Sequence, residues 1–195
     1  MDARPNDLRV VKTIDAIHAA FKAMLMEMDF ADVTVKELCA RARINKKTFY
    51  RYYPAIEYLL REVQKEYEGP YLRLVDGLSF PDDTEAITRA FLRYSADQDG
   101  FYERLTCAGP HESIRDEMIA EVEESHEATR TAPDGWDEGV WDLYLGFVTT
   151  TPLAIYQRWI EGGKMIPAAE MVETGCKLVC AGADALVASV SSPKR

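Results

Sequence analysis

The stretch from Thr34 to Tyr53 constrains the fold more than any other part of the chain. Thr34 and Glu37 have the spacing of a capping box, in which a hydroxyl and a carboxylate each bind a free backbone N–H at a helix start. Asn45 is a favourable N-cap residue for a second helix a few residues further on. These signals predict two short helices joined by a tight turn.

The same stretch is basic within an acidic protein. It carries six Lys or Arg side chains and one carboxylate, whereas the 195-residue chain has a formal net charge of -10. Residues 1–66 hold 12 basic and 10 acidic side chains, and the remainder holds 11 and 23. Because an acidic surface repels DNA, we expect any nucleic acid to bind the N-terminal third. The charge and the helix pair together predict a helix-turn-helix that reads DNA.

Apolar residues recur at helical spacing through almost the whole chain, and no strand-like alternation is present. The spacing predicts a first helix over residues 7–28, a fourth helix running from Pro54 towards residue 74, and an acidic helix over 112–129. It also predicts two long helices, over 136–161 and from Pro167 to about residue 190. The last two are apolar on several sides and therefore favour a homodimer interface. The predicted fold class is all-α.

Other classes of protein have little support in the sequence. No apolar run approaches the roughly 18 residues that a bilayer requires, and the polar N-terminus does not have the pattern of a secretion signal, so we expect a cytoplasmic protein. The four cysteines form no zinc or C-x-x-C pattern. Glu123 and His126 have the E-x-x-H spacing of di-iron bundles but no second copy. We expect no enzyme activity, no metal and no cofactor.

Three segments resemble the N-terminal domain of the tetracycline-repressor (TetR) family of bacterial transcription regulators. They are TIDAIHAAFKAML (13–25), DFADVTVKELCARARINKKTFYRYY (29–53) and PAIEYLL (54–60). The resemblance implies a helix-turn-helix DNA-binding domain in residues 1–54, a connecting helix over 54–77, and a larger helical ligand-binding and dimerisation domain over 78–195. It also implies a homodimeric regulator that binds a near-palindromic double-stranded DNA operator. In this family such a regulator is usually a repressor, and a small-molecule effector releases it from the operator.

The chain departs from the family pattern at three positions. Asp29 and Arg43 stand where the family usually has Gly, and Ile56 stands where the family has a phosphate-contacting Lys. Arg43 lies in the turn between the two short helices, so it must accept a left-handed backbone angle unless the turn differs. Ile56 brings no charge to a phosphate.

The second short helix has one charged side and one apolar side. At about 100° per residue, Lys46, Lys47 and Arg51 share a face, and Phe49 lies opposite. Lys46 and Lys47 are predicted to reach base edges, where guanine O6 and N7 accept from Lys, and the remaining contacts go to phosphates. The predicted DNA-binding residues are Lys36, Lys46, Lys47, Thr48, Tyr50, Arg51 and Tyr52.

The effector site is expected among aromatic and apolar residues of the C-terminal domain. For each of them, ordinary core packing is the alternative. Thr150 precedes Pro152, which is expected to kink a helix, so the threonine either accompanies a bend or forms a polar pocket wall. The predicted ligand-binding residues are Tyr94, Phe101, Tyr102, Leu105, Tyr144, Phe147 and Thr150.

A second function is compatible with the sequence: a TetR-like adaptor or co-regulator that acts through protein contacts, with weak or no DNA binding. Ile56 and the acidic C-terminal part favour it. Specific DNA binding through phosphate contacts falls steeply with salt, and this property separates the two functions.

Overall fold

The computed structural model describes residues 5–107 and 131–191, and over these residues the chain is all-α. The helices are α1 (Pro5–Glu27), α2 (Val35–Arg41), α3 (Lys46–Tyr52), α4 (Ile56–Leu74), α5 (Thr84–Ala96), α6 (Gly100–Thr106), α7 (Glu138–Glu161) and α8 (Ala168–Ser191). The acidic helix predicted over 112–129 lies outside the described residues. Among the described helices, none combines the length and apolarity that a membrane crossing needs.

The chain divides into two compact units, with the division at residues 67 and 68 inside α4. The connecting helix predicted over 54–77 therefore contributes its first part to the N-terminal unit and its remainder to the C-terminal unit. Helix α4 begins at Ile56, two residues after the Pro54 at which it was predicted to start.

The N-terminal unit has a core to which all four helices contribute. Helix α1 buries one stripe at helical spacing, as its sequence pattern predicts. The buried apolar residues include Ile17, Phe21, Met24 and Leu25 of α1, Leu38 and Cys39 of α2, Phe49 of α3, and Leu59, Leu60 and Val63 of α4. Each large side chain buried in this way contributes about 1.5–3 kcal/mol to stability.

The two short helices begin at side-chain caps. Asn45 Oδ1 accepts from the Thr48 N–H at 2.8 Å, as predicted. Thr34 Oγ1 accepts from the Glu37 N–H at 3.3 Å, but the Glu37 carboxylate accepts from Arg41 Nη2 at 2.7 Å. Only the Thr34 half of the predicted capping box forms. The Glu37 carboxylate does not close the other half, because it binds the Arg41 guanidinium one turn further along α2.

The C-terminal unit is built on its two long helices, and α5 packs against both. Trp141, Tyr144 and Val148 of α7 are buried with Val179 and Ala183 of α8. Helix α7 ends at Gly162 and Gly163, and Gly163, with a φ of 74°, provides a left-handed residue after the helix.

Candidate nucleic-acid interface

The turn between α2 and α3 closes on a left-handed arginine. Arg43 has a φ of 55°, so the chain accepts the backbone angle that its sequence implied. The Arg43 N–H donates to Ala40 O at 3.2 Å, and the Ile44 N–H donates to Cys39 O at 2.9 Å. This pattern satisfies carbonyls at the end of α2. A non-glycine residue in this region costs about 1–2 kcal/mol, so the turn is held by its surroundings.

The burial of one aromatic residue orients α3. Phe49 is completely buried, and its ring lies 5.7 Å from the ring of the buried Tyr53. Lys46, Lys47 and Arg51 are exposed on the remaining surface of this helix. Because Phe49 fixes the rotation of α3 about its axis, the cationic side faces solvent.

The seven predicted DNA-binding residues all lie on α2 and α3. Lys36, Lys46, Lys47, Tyr50 and Arg51 are exposed, and Thr48 and Tyr52 are half-buried. The Thr48 hydroxyl donates to Asn45 Oδ1 at 3.0 Å, so its donor is committed to the cap. The Arg51 guanidinium lies 6.0 Å from the centre of the Tyr52 ring, at the range of a cation–π contact.

Some cations of the N-terminal unit form ion pairs, and most of those on α2 and α3 do not. Lys22 pairs with Glu66, and Arg41 pairs with Glu27 at 2.7 Å as well as with Glu37. Four other exposed cations of α2 and α3 have no ion-pair partner among the side chains that the structure describes: Lys36, Lys46, Lys47 and Arg51. Their charge is therefore available to an external anion.

A partly exposed polar network lies behind α3 and helps to hold it in position. Tyr53 directly follows α3, and its hydroxyl donates to Glu62 Oε2 of α4 at 2.6 Å. His18 of α1 connects Tyr53 to a second carboxylate of α4. Its Nε2 lies 3.0 Å from the Tyr53 oxygen, and its Nδ1 lies 3.0 Å from Glu66 Oε1. Burial and the Glu62 carboxylate raise the pKa of Tyr53, so the phenol stays protonated as a donor. The hydrogen-bonded partners are 9 to 48 positions apart, so no local spacing in the sequence indicates these contacts.

Some of the predicted ligand-binding residues come together in an aromatic cluster of the C-terminal unit. The rings of Tyr94 and Tyr102 meet edge to face at 6.1 Å. The Tyr102 ring also lies 6.1 Å from Tyr156, and its hydroxyl is 3.0 Å from Ser95 Oγ. Burial raises the pKa of Tyr102. Tyr71, whose ring lies 5.8 Å from that of Tyr94, also belongs to the cluster.

Tyr71 and Tyr156 were not among the predicted ligand-binding residues, because each has the sequence pattern of an ordinary core position. Two further predicted ligand-binding residues, Phe101 and Leu105, are buried on α6.

The other three predicted ligand-binding residues lie on α7, outside that cluster. Tyr144 stacks on Trp141 at 5.2 Å, and its hydroxyl is 2.5 Å from Thr84 Oγ1. Phe147 and Thr150 lie on the exposed side of the helix, and the Thr150 hydroxyl donates to Gly146 O at 2.5 Å. Among the described residues no group of three His, Cys, Asp or Glu side chains is arranged to hold a metal.

The N-terminal fold, the short helix pair and the unpaired cations define a helix-turn-helix protein. Residues 17–63 match the family described as "Bacterial regulatory proteins, tetR family". This match identifies the N-terminal part of the chain as a DNA-binding domain of the TetR family, a family of transcription regulators rather than enzymes.

Two solved structures align with most of the chain, and the first shows a likeness in fold. One is "a TetR-like transcriptional regulator from Rhodococcus sp. RHA1", with a TM-score of 0.55, 15% sequence identity, and coverage of 92% of this chain and 98% of that chain. Another is "Dihydroxyacetone kinase operon activator DhaS", with a TM-score of 0.48, 18% identity, and coverage of 89% and 97%. No curated protein matches the chain in sequence.

Proposed function

We propose that this protein is a homodimeric repressor that binds a near-palindromic operator and is released by a small molecule bound in its C-terminal unit. The observation that carries the proposal is the set of exposed, unpaired cations on α2 and α3. A DNA duplex presents a regular array of phosphates, and neutralising them releases counterions, which provides most of the affinity.

Within this proposal, Lys46 and Lys47 read the bases. They stand at the N-terminal end of α3, the end that a recognition helix directs into the major groove. Lys36, Tyr50, Arg51 and Tyr52 contact phosphates, which fixes the register of α3 without specifying sequence. The Thr48 hydroxyl joins them only if it releases Asn45 Oδ1.

An exposed apolar surface on α7 and α8 supports the homodimer. Leu143 is 74% exposed, Leu178 is 60% exposed and Phe147 is 39% exposed. A Cβ on Gly182 would lie 3.1 Å from Phe147 Cζ, so the phenylalanine packs directly on α8 and joins the two helices into one surface. Association of two copies through this surface covers it. A dimer then presents two copies of α3, about 34–36 Å apart if they enter successive major grooves.

The tyrosine cluster of the C-terminal unit supports an effector site. The buried hydroxyl of Tyr156, a member of this cluster, has no hydrogen-bond partner among the described residues. An unsatisfied buried polar group costs about 1–3 kcal/mol, so a ligand that hydrogen-bonds to this hydroxyl gains affinity. Such a ligand releases DNA if it binds more tightly to a dimer geometry that does not fit the operator.

The test is a selection from a random DNA pool at low salt, followed by affinity measurements on the enriched sequence. We expect a near-palindrome to be enriched. Lys46→Ala with Lys47→Ala should lower affinity for it by at least about 100-fold, because each good base contact contributes about 1–3 kcal/mol and both half-sites lose theirs. The helical circular dichroism of the variant should stay unchanged.

The matched control is Arg158→Ala with Lys177→Ala, which removes the same charge from exposed positions of the C-terminal unit. It should bind like the unmodified protein. If no sequence is enriched, the protein is not a sequence-specific regulator, and the adaptor function is favoured instead.

A further inference from the structure

A second cationic site lies in the N-terminal unit, outside the surface described above. A cleft of about 470 Å³ opens between the first half of α1 and the turn that joins α2 to α3. Its lining residues are Leu8, Arg9, Lys12, Thr13, Ala16, Ala42, Arg43 and Ile44. Arg9, Lys12 and Ala16 come from one face of α1, since they are three and seven residues apart. The cleft thus has a small apolar floor and three cations.

The charges of this cleft are not compensated. Arg9, Lys12 and Arg43 are exposed and form no ion pair with any side chain that the structure describes, and no described acid lines the cleft. In the same unit, Lys22 and Arg41 each pair with carboxylates. Three unpaired cations around one concavity repel each other, and an anion placed among them relieves that repulsion.

One of the three cations occupies a position that favours glycine. Arg43 has a φ of 55°, a backbone region in which an L side chain costs about 1–2 kcal/mol. Glycine accepts this angle without that cost. The chain therefore carries a cation at the wall of the cleft at the expense of stability, which is expected where the side chain has a binding role.

The position of the cleft indicates what the anion belongs to. Ile44 lines the cleft, and the next residues along the chain are Asn45, which caps α3, and Lys46, the first residue of α3. The cleft therefore lies beside the N-terminal end of the helix that reads bases in the proposed function. In the proposed binding mode the N-terminal end of α3 enters the major groove, so phosphates of the bordering strand are expected near this end of the helix.

We infer that the cleft formed by Arg9, Lys12 and Arg43 binds a backbone phosphate of the DNA strand bordering the groove that α3 enters. This inference rests on the proposed function. The apolar floor of Ala16, Ala42 and Ile44 suits the C–H surface of a deoxyribose, and the cations suit the phosphodiester. A free small anion gains less here, because an open site leaves it solvated, whereas a polyanion adds counterion release.

The test uses the enriched DNA sequence and the double variant Arg9→Ala with Lys12→Ala in the full-length chain. Fluorescence anisotropy gives affinity at several salt concentrations for this DNA and for an unrelated duplex. We expect an affinity loss of at least about 10-fold on both DNAs, and a salt slope smaller by about 2, because each protomer of the dimer loses about one phosphate contact. Arg158→Ala with Lys177→Ala is the charge-matched control and should leave both quantities unchanged.

A phosphate-by-phosphate comparison locates the contact. Neutral methylphosphonates replace single phosphates of the enriched DNA. At one position on each strand the replacement should weaken the unmodified protein several-fold and leave the double variant unaffected. Thermal unfolding followed by circular dichroism checks that the variant is folded, and Lys12→Arg should retain the affinity.

Two results overturn the inference while leaving the proposed function intact. The first is an unmodified protein that binds the enriched DNA and a folded double variant that matches its affinity and salt slope. The second is a double variant in which every methylphosphonate has the same effect as in the unmodified protein. Failure of the proposed function has a different signature, since no DNA sequence is then enriched. Binding of inorganic phosphate that the double variant loses, found together with the first result, assigns the cleft to free anions instead of DNA.

Discussion

The two units of the chain expose different kinds of surface, one cationic and one apolar. The N-terminal unit presents cations without acidic partners, on α2, α3 and the cleft beside them, whereas the C-terminal unit presents Leu143, Phe147 and Leu178 on α7 and α8. Each surface is complementary to a different partner, a polyanion in the first case and a second apolar surface in the second. Attraction between charges is screened by salt, and burial of apolar area is not. The difference therefore predicts that DNA binding is sensitive to salt and that dimerisation is not.

The largest expected effect is that of salt on DNA binding. If each protomer neutralises about three phosphates, raising salt from about 50 to 200 mM lowers the affinity of the dimer for DNA by about 10³-fold. The dimer itself should not dissociate over that range, because its proposed interface is apolar. Fluorescence anisotropy measures the first quantity, and sedimentation equilibrium measures the second.

A DNA affinity that changes less than about 10-fold over the same range means that phosphates contribute little, and the contrast between the two surfaces then fails. Dissociation of the dimer at high salt also contradicts the contrast, because it would mean that charged residues stabilise the interface.

A smaller effect is expected when charge is introduced into the apolar surface. Leu143→Glu with Leu178→Glu places four carboxylates in the dimer interface, where burial without partners is costly. The dimer dissociation constant should rise by at least about 100-fold, because each unpaired buried charge costs several kcal/mol. Analytical ultracentrifugation should then show monomers whose helix content is unchanged.

The control for this variant carries the same added charge elsewhere. Leu74 is 56% exposed near the end of α4, and Met165 is 88% exposed in the connection between α7 and α8. Leu74→Glu with Met165→Glu should remain dimeric. If both double variants dissociate, added negative charge is responsible and the interface lies elsewhere.

The two units also differ in how far the sequence predicts them. In the N-terminal unit the determinants are local: Asn45 caps a helix three residues before the amide it binds, and the angle of Arg43 follows from its place in a short turn. Helix spacing likewise predicts which face of α3 is buried, because Phe49 is its largest apolar residue. Fold and exposed charge were therefore predictable over this unit.

Prediction reached less far in the C-terminal unit, because contacts there join residues distant in sequence. That Phe147 and Thr150 line a pocket stays a prediction. Both lie on the exposed side of α7, which the sequence did not indicate, because an apolar helix does not specify by its own pattern which side a neighbour covers. Tyr156 joins the tyrosine cluster through Tyr102, 54 positions earlier in the chain. The network of His18, Tyr53 and Glu62 in the N-terminal unit has the same long-range character.

The smallest expected effect concerns Arg43, the one residue at which the cationic surface and backbone strain coincide. Arg43→Gly removes the strain at a φ of 55°, so the free energy of unfolding measured with urea should rise by about 0.5–1 kcal/mol, after allowance for the greater flexibility of glycine in the unfolded chain. DNA affinity should fall several-fold at the same time, because the cleft loses one cation. Arg43→Asn tolerates the same angle and should lose DNA affinity to a similar degree. Stability and affinity that rise together would show that Arg43 has no part in binding, and the cationic surface would then end at α3.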